Sequence, residues 1–164
     1  LYKRKFTKEE KEALATKKNE HYTKMIANIT SDDLLPGVKE FLEEVKQANL
    51  KTGIASASKN AFSVIEYLQV GDYFDTIVDA AKVEKGKPDP EVFLKGADQL
   101  GVEYSACIGI EDAAAGVKAI KSAGMFAVGI GSETELEEAD LILSSTEELS
   151  LQKILQAYEK HLIK

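Results

Sequence analysis

Residues 105–130, SACIGIEDAAAGVKAIKSAGMFAVGI, hold two apolar runs with a helical pattern between them. The runs at 105–110 and 126–131 are short and almost free of polar residues, as strands are when both faces of a sheet are covered. Gly124 follows the helical pattern at the position where a left-handed residue commonly ends a helix. A strand, a helix and a second strand in this order are typical of parallel pairing, so the stretch predicts an α/β fold.

The same alternation continues on both sides of this stretch. Further apolar runs, each followed by a helical pattern, lie at 51–56 and 75–80; the segment 133–139 predicts one more short helix, and a last run at 140–145 precedes a carboxy-terminal helix. The predicted fold class is therefore α/β, with a Rossmann-like parallel sheet and flanking helices. Ligands of such sheets gather at the carboxyl ends of the strands, so the residues that follow each strand are the first candidates for a site.

The amino-terminal part of the chain predicts helices alone. Thr7 and Glu10 stand at the spacing of a capping box, and residues 7–26 continue as a helical pattern that is charged over most of its surface. Pro36 suits the start of a second helix, which ends near Asn49. These two helices come before the first predicted strand.

Composition bounds the class of protein. The chain has 164 residues, a formal net charge of -7 and a single cysteine. The length is typical of one domain, and the negative charge argues against a nucleic-acid binder that neutralises phosphates. A lone cysteine fits a reducing compartment, and the sequence has no apolar run of the roughly 18 residues that a membrane span needs. We therefore expect a soluble cytoplasmic protein that binds neither nucleic acid nor membrane.

The first polar strand end is GIASASKN, residues 53–60. Here an apolar run stops on Ser56, Ser58, Lys59 and Asn60, directly before a helical pattern. Hydroxyls and free N–H groups at the start of a helix form an anion site, and a lysine adds a full positive charge. The alternative is that Ser58 only caps the helix.

The second candidate is VEKGKPDPEVF, residues 83–93, in which Lys87 lies between Gly86 and Pro88. Pro88 fixes its own φ and biases Lys87 toward extended backbone, so a stiff loop presents the lysine. Asp89 is placed to cap the helix that follows. A solvated loop lysine is the alternative interpretation.

The third candidate is the pair Glu111 and Asp112, which follows the apolar run at 105–110. Adjacent carboxylates repel each other unless a cation offsets them, and Mg²⁺ takes one or two carboxylates together with phosphate and water. The pair therefore indicates a magnesium site. The alternative is that Asp112 caps the next helix while Glu111 faces water.

A serine after one strand, a lysine before proline and an acidic pair after a later strand, in this order, resemble motifs two, three and four of the haloacid dehalogenase superfamily of phosphotransferases. The resemblance spans nearly the whole chain. It implies that Ser56 and Lys87 are catalytic, and that Glu111 and Asp112 ligate Mg²⁺. It further implies a substrate-binding set made of Ser56, Ala57, Ser58, Lys59, Asn60 and Lys87, in which Ser58, Lys59 and Asn60 hold the second phosphate of a bisphosphorylated sugar.

The SASKN form of the first motif is the more specific part, and it resembles the superfamily's sugar-phosphate mutases. That resemblance implies Mg²⁺-dependent interconversion of beta-D-glucose 1-phosphate and glucose 6-phosphate by a protein that is a monomer when whole. Three alternatives remain open at this point: a phosphatase of the same superfamily, a non-catalytic module that binds phosphate or magnesium, and a phospho-acceptor signalling domain.

The resemblance also has a missing part. Family members begin with a strand that ends in Asp-x-Asp, which supplies the nucleophile and the general acid/base, and no such segment occurs in this chain; SDD at 31–33 does not follow a strand pattern. By the resemblance, residues 1–30 correspond to the end of a helical cap domain and residues 31–164 to a core without its first strand. We therefore expect a fragment that is inactive alone and needs a complementing segment or strand exchange.

Overall fold

The computed structural model describes residues 6–163 as six α-helices, five short strands and several 3₁₀ turns. The helices are α1 (Lys8–Ile26), α2 (Val38–Gln47), α3 (Ala61–Tyr67), α4 (Glu91–Leu100), α5 (Ala114–Ser122) and α6 (Leu151–Leu162). The strands are β1 (Gly53–Ile54), β2 (Thr76–Ile77), β3 (Ile108–Glu111), β4 (Phe126–Ile130) and β5 (Leu141–Leu143). Within this range no helix has both the length and the apolar character that crossing a bilayer requires.

All strand pairs in the described part of the chain are parallel, as the alternation of apolar runs and helical patterns predicts. The strands form two sheets, one with the order β1-β2 and one with the order β3-β4-β5. Because parallel strands in a sheet end at the same edge, the residues that follow β1 and β2 lie at one edge, and so do those that follow β3 and β4.

The centre of the larger sheet is β4, which is covered on both faces. Phe126 and Val128 pack with Ile154 of α6 on one face, whereas Ala127 joins a cluster with Val117 and residues of α4 on the other. Side chains of a strand alternate between faces, so this alternation places a helical layer on each side of the sheet. The predicted α/β architecture with flanking helices is confirmed.

Most predicted helices are present, and one is not. Thr7 and Glu10 form the predicted capping box at the start of α1, and Gly101 ends α4 in the left-handed conformation. The predicted helix at 133–139 is wrong: this segment forms turns, in which the N–H of Leu136 donates to the carbonyl of Ser132. Leu136 is buried and anchors these turns on the core. Helix nucleation is costly, and the packing of one buried side chain is too little to stabilise a helix over this segment.

Candidate active site

The loop that follows β1 is held by its own side chains. The Ser56 hydroxyl accepts a hydrogen bond from the Ser58 N–H at 3.1 Å, and the Ser58 hydroxyl accepts one from the Asn60 N–H at 3.2 Å. Such serine turns fix the backbone before α3 begins. Ser58 therefore stabilises the turn before α3 but does not cap the helix, because the N-cap position is Asn60. Ala57 and Lys59 are exposed to solvent.

The same loop contacts the amino-terminal helix. The Asn60 side-chain amide donates a hydrogen bond of 2.9 Å to the Asn19 side-chain oxygen in α1. This bond uses one of the two N–H donors of the Asn60 amide and leaves the other for a further acceptor. Helix α1 thus orients a side chain of the SASKN loop.

Lys87 lies in the loop between β2 and α4, and its ammonium group points at β3. It forms an ion pair with the Glu111 carboxylate and lies 4.8 Å from the centroid of the Phe93 ring. The side chains of Lys87 and Glu111 are only 21% and 10% exposed. A partly buried pair of this kind is screened less than a surface pair, so the interpretation of Lys87 as a solvated loop lysine is wrong.

Glu91, the first residue of α4, holds the loop that carries Lys87. Its carboxylate accepts hydrogen bonds from the N–H groups of Glu84 at 3.0 Å and Lys85 at 2.8 Å, and it pairs with the Lys95 ammonium at 2.7 Å. The Lys95 side chain, together with the two backbone N–H groups, lowers the pKa of Glu91 from 4.5 to about 2. Asp89 accepts from the Glu91 N–H at 3.1 Å and so satisfies the first N–H of α4, although the N-cap position itself is Pro90.

Glu111 ends β3 and folds back over the start of α5. Its second carboxylate oxygen accepts from the N–H groups of Asp112 at 3.1 Å and Ala113 at 3.3 Å. The alternative in which Asp112 caps α5 while Glu111 faces water is wrong. Glu111 is the partly buried residue that binds the N–H groups before α5, and Asp112 is the one exposed to water. Gly116 makes room for this arrangement, since a Cβ atom there would stand 2.1 Å from the Glu111 carboxyl carbon.

The structure brings together the second and third sequence candidates and places the first at the equivalent edge of its sheet. Lys87 and Glu111, which are 24 positions apart, are in contact. Ser56 follows β1 at the carboxyl edge of the smaller sheet, and within residues 6–163 its hydroxyl bonds inside its own loop. No group of three or more His, Cys, Asp or Glu side chains that could hold a metal occurs in the described part of the chain.

Three residues of this region have no role in the sequence prediction: Asn19, Glu91 and Gly116. Glu91 carries a weak sequence signal, because an acidic residue in the first turn of a helix is favourable in general. Nothing in the sequence connects Asn19 with Asn60 across 41 positions. The need for glycine at 116 depends on where the Glu111 side chain lies, which only the folded arrangement determines.

Comparison with protein-family models matches residues 1–124 to the haloacid dehalogenase-like hydrolases. Among curated proteins, the chain is 43% identical over 160 residues to a beta-phosphoglucomutase of Bacillus subtilis, covering 98% of this chain and 71% of the relative. It is 34% identical over 129 residues to hexitol phosphatase B of Escherichia coli, covering 74% of this chain and 58% of that protein.

Among solved structures, the fold matches the crystal structure of a beta-phosphoglucomutase from Clostridium difficile. The TM-score is 0.93 with 45% sequence identity, and the match covers 97% of this chain and 71% of the other. The likeness therefore includes both the amino-terminal helices and the sheets, not the α/β part alone.

Proposed function

The chain belongs to the haloacid dehalogenase-like hydrolase family, and on that basis we propose that the protein interconverts beta-D-glucose 1-phosphate and glucose 6-phosphate by Mg²⁺-dependent phosphoryl transfer. The observation that carries the proposal is the contact between Lys87 and Glu111 at the carboxyl end of β3. It sets a cation and a carboxylate side by side where ligands of parallel sheets bind, in a chain similar over nearly its whole length to beta-phosphoglucomutases.

The transferred phosphoryl group is assigned to Ser56, Ala57 and Lys87. The Ser56 hydroxyl and the Ala57 N–H donate hydrogen bonds to its oxygens, and the Lys87 ammonium offsets the charge that develops on them during transfer. Phosphoryl transfer depends mainly on in-line positioning and on neutralising oxygen charge, and a fixed cation beside the phosphoryl group supplies the second of these.

The second phosphate of the bisphosphorylated intermediate is assigned to Ser58, Lys59 and Asn60. Lys59 is exposed and supplies a positive charge, and Asn60 keeps one amide N–H for an acceptor while the other binds Asn19. Holding one phosphate in this loop leaves the other end of the sugar to react. The phosphoryl group passes through a phospho-aspartate supplied by an Asp-x-Asp segment, as the resemblance to the family implies.

Magnesium is assigned to Asp112 and Glu111. Both offer the hard oxygen ligands that Mg²⁺ prefers, and two protein carboxylates suffice when phosphate and water complete the shell. Asp112 is exposed at the strand end, whereas the Glu111 carboxylate already accepts two N–H groups and contacts Lys87. Asp112 therefore fits the role of direct ligand, and bound Mg²⁺ would draw charge from the phosphoryl oxygens.

Product analysis tests this function. We expect the protein expressed from its natural reading frame to convert beta-D-glucose 1-phosphate into glucose 6-phosphate when Mg²⁺ and a trace of the glucose bisphosphate are present, as followed by phosphorus NMR. Chelation of Mg²⁺ should stop the conversion. Release of inorganic phosphate with free glucose as the main products would contradict the mutase assignment and identify a phosphatase.

A further inference from the structure

The loop that presents Lys87 has little regular structure to hold it. Between Val83 and Asp89, the N–H groups of Glu84 and Lys85 both donate to the Glu91 side chain. The Asp89 N–H closes a turn on the Gly86 carbonyl at 3.1 Å. The Glu91 carboxylate is therefore the side-chain anchor that fixes the first half of this loop.

The anchor is itself held in place. The Lys95 ammonium lies one helical turn further along α4, pairs with the Glu91 carboxylate and also donates to the carbonyl of Lys82, just before the loop. The Glu91 side chain is 20% exposed, so its bonds are partly shielded from water. The Glu91 carboxylate thus accepts from two backbone N–H groups and one ammonium group. Hydrogen bonds to an ionised acceptor are stronger than those between neutral groups.

Helix α4 supports the lysine at a second point. Phe93, two residues after Glu91, lies under the Lys87 ammonium at 4.8 Å. The direction of a flexible four-carbon side chain depends on where its backbone starts, and the backbone of Lys87 starts two residues after the anchored N–H of Lys85. The first turn of α4 thus fixes the backbone from which the Lys87 side chain extends, through Glu91, and provides the aromatic ring that its ammonium group contacts, through Phe93.

We propose that Glu91 is a positioning residue for the reaction, which fixes the loop at 84–88 so that the Lys87 ammonium meets Glu111 and the transferred phosphoryl group. This inference rests on the proposed function, in which Lys87 offsets phosphoryl charge. Glu91 acts through the loop and does not touch the substrate. Because its pKa is lowered to about 2, the carboxylate stays ionised at every pH at which the enzyme would work.

The test replaces Glu91 by glutamine, which keeps the shape of the side chain but removes its charge and one of its two acceptor oxygens. We expect kcat to fall roughly 10- to 100-fold with KM within about twofold, because a misplaced charge-offsetting group costs rate more than ground-state binding. Glu84→Gln is the control, since its exposed side chain lies in the same loop and should leave both constants unchanged.

A double variant separates positioning from general stability. In a Lys87→Ala background, Glu91→Gln should change kcat/KM by less than about twofold, because the group that it positions is gone. Equal effects of Glu91→Gln in the presence and absence of Lys87 would overturn the proposal, and so would an unchanged kcat in the single variant.

Amide hydrogen exchange gives a readout that does not depend on turnover. Glu91→Gln should speed exchange of the Lys85 amide at least about tenfold while the amides of α5 and β4 keep their protection. Unchanged exchange at Lys85 would overturn the anchor itself. If the unmodified protein forms no glucose 6-phosphate, the proposed function fails, while this exchange result still reports on the anchor alone.

Discussion

Replacing Lys87 by alanine is expected to lower kcat/KM for glucose 6-phosphate formation by on the order of 10³-fold. The Lys87 ammonium is the cation that contacts Glu111 at the end of β3, and its removal leaves the developing phosphoryl charge without that partner. The fold should persist, because Lys87 lies in a loop, the Phe93 ring keeps its place in the core, and the Glu111 carboxylate keeps its hydrogen bonds from the N–H groups of Asp112 and Ala113. Steady-state kinetics with a circular-dichroism melting curve measures both quantities.

Lys85→Ala is the matched control for that variant. Lys85 belongs to the same loop and carries the same charge, but its side chain is 71% exposed and its ammonium group pairs only loosely with Asp89, at 3.7 Å. An exposed pair of this kind contributes little, so the control should keep activity within about twofold. Equal loss in the two variants would show that general loop charge, and not the position of Lys87, drives the reaction.

Gly116→Ala is expected to lower kcat/KM about 100-fold while the protein stays folded. The new Cβ atom would stand 2.1 Å from the Glu111 carboxyl carbon, so the carboxylate must leave its position over α5. Moving it breaks the contact with Lys87 and the two hydrogen bonds from the start of the helix. Since the obstacle is the end of a flexible side chain and not backbone, the helix itself should remain folded.

Gly96→Ala is the control for the glycine change. Gly96 is also a buried helical glycine, in α4, but a Cβ atom there would lie 3.6 Å from the Val78 side chain, an ordinary contact. Alanine favours the helix by about 1 kcal/mol over glycine, so activity should be unchanged and stability equal or higher. Full activity of Gly116→Ala would contradict the assigned position of Glu111.

The sequence predicts the fold class because burial on both faces leaves a clear pattern. The run at 105–110 overlaps β3, which extends one residue further to Glu111, and the run at 126–131 contains β4. The comparisons confirm both the family and the sugar-phosphate mutase prediction. The error at 133–139 has a different cause. Leu136 is the buried hydrophobic residue of this seven-residue segment. Its side chain reaches the core equally well from a turn and from a helix, so the apolar pattern does not distinguish the two.

The sequence predicts that the site residues lie at strand ends, but it does not predict which of their side chains are in contact. Parallel pairing alone places Glu111 and the Ser56 loop at strand ends, and the stiff loop around Lys87 follows from its proline neighbour. Which of the two adjacent carboxylates turns inward depends on the open space above Gly116, and the bond between Asn19 and Asn60 depends on how α1 docks. The boundaries at 1–30 and 31–164 and the roles of the site residues remain predictions.

Ser56, Lys87 and the acidic pair at the end of β3 are proposed to serve one phosphoryl group. A crystal structure of the protein, expressed from its natural reading frame and soaked with Mg²⁺ and vanadate, would show whether they do. We expect one vanadate whose oxygens lie about 2.7–3.2 Å from both the Ser56 hydroxyl and the Lys87 ammonium, with magnesium bound by Asp112 beside it. Vanadate bound to either residue without the other, or magnesium at a separate face, would contradict the proposal.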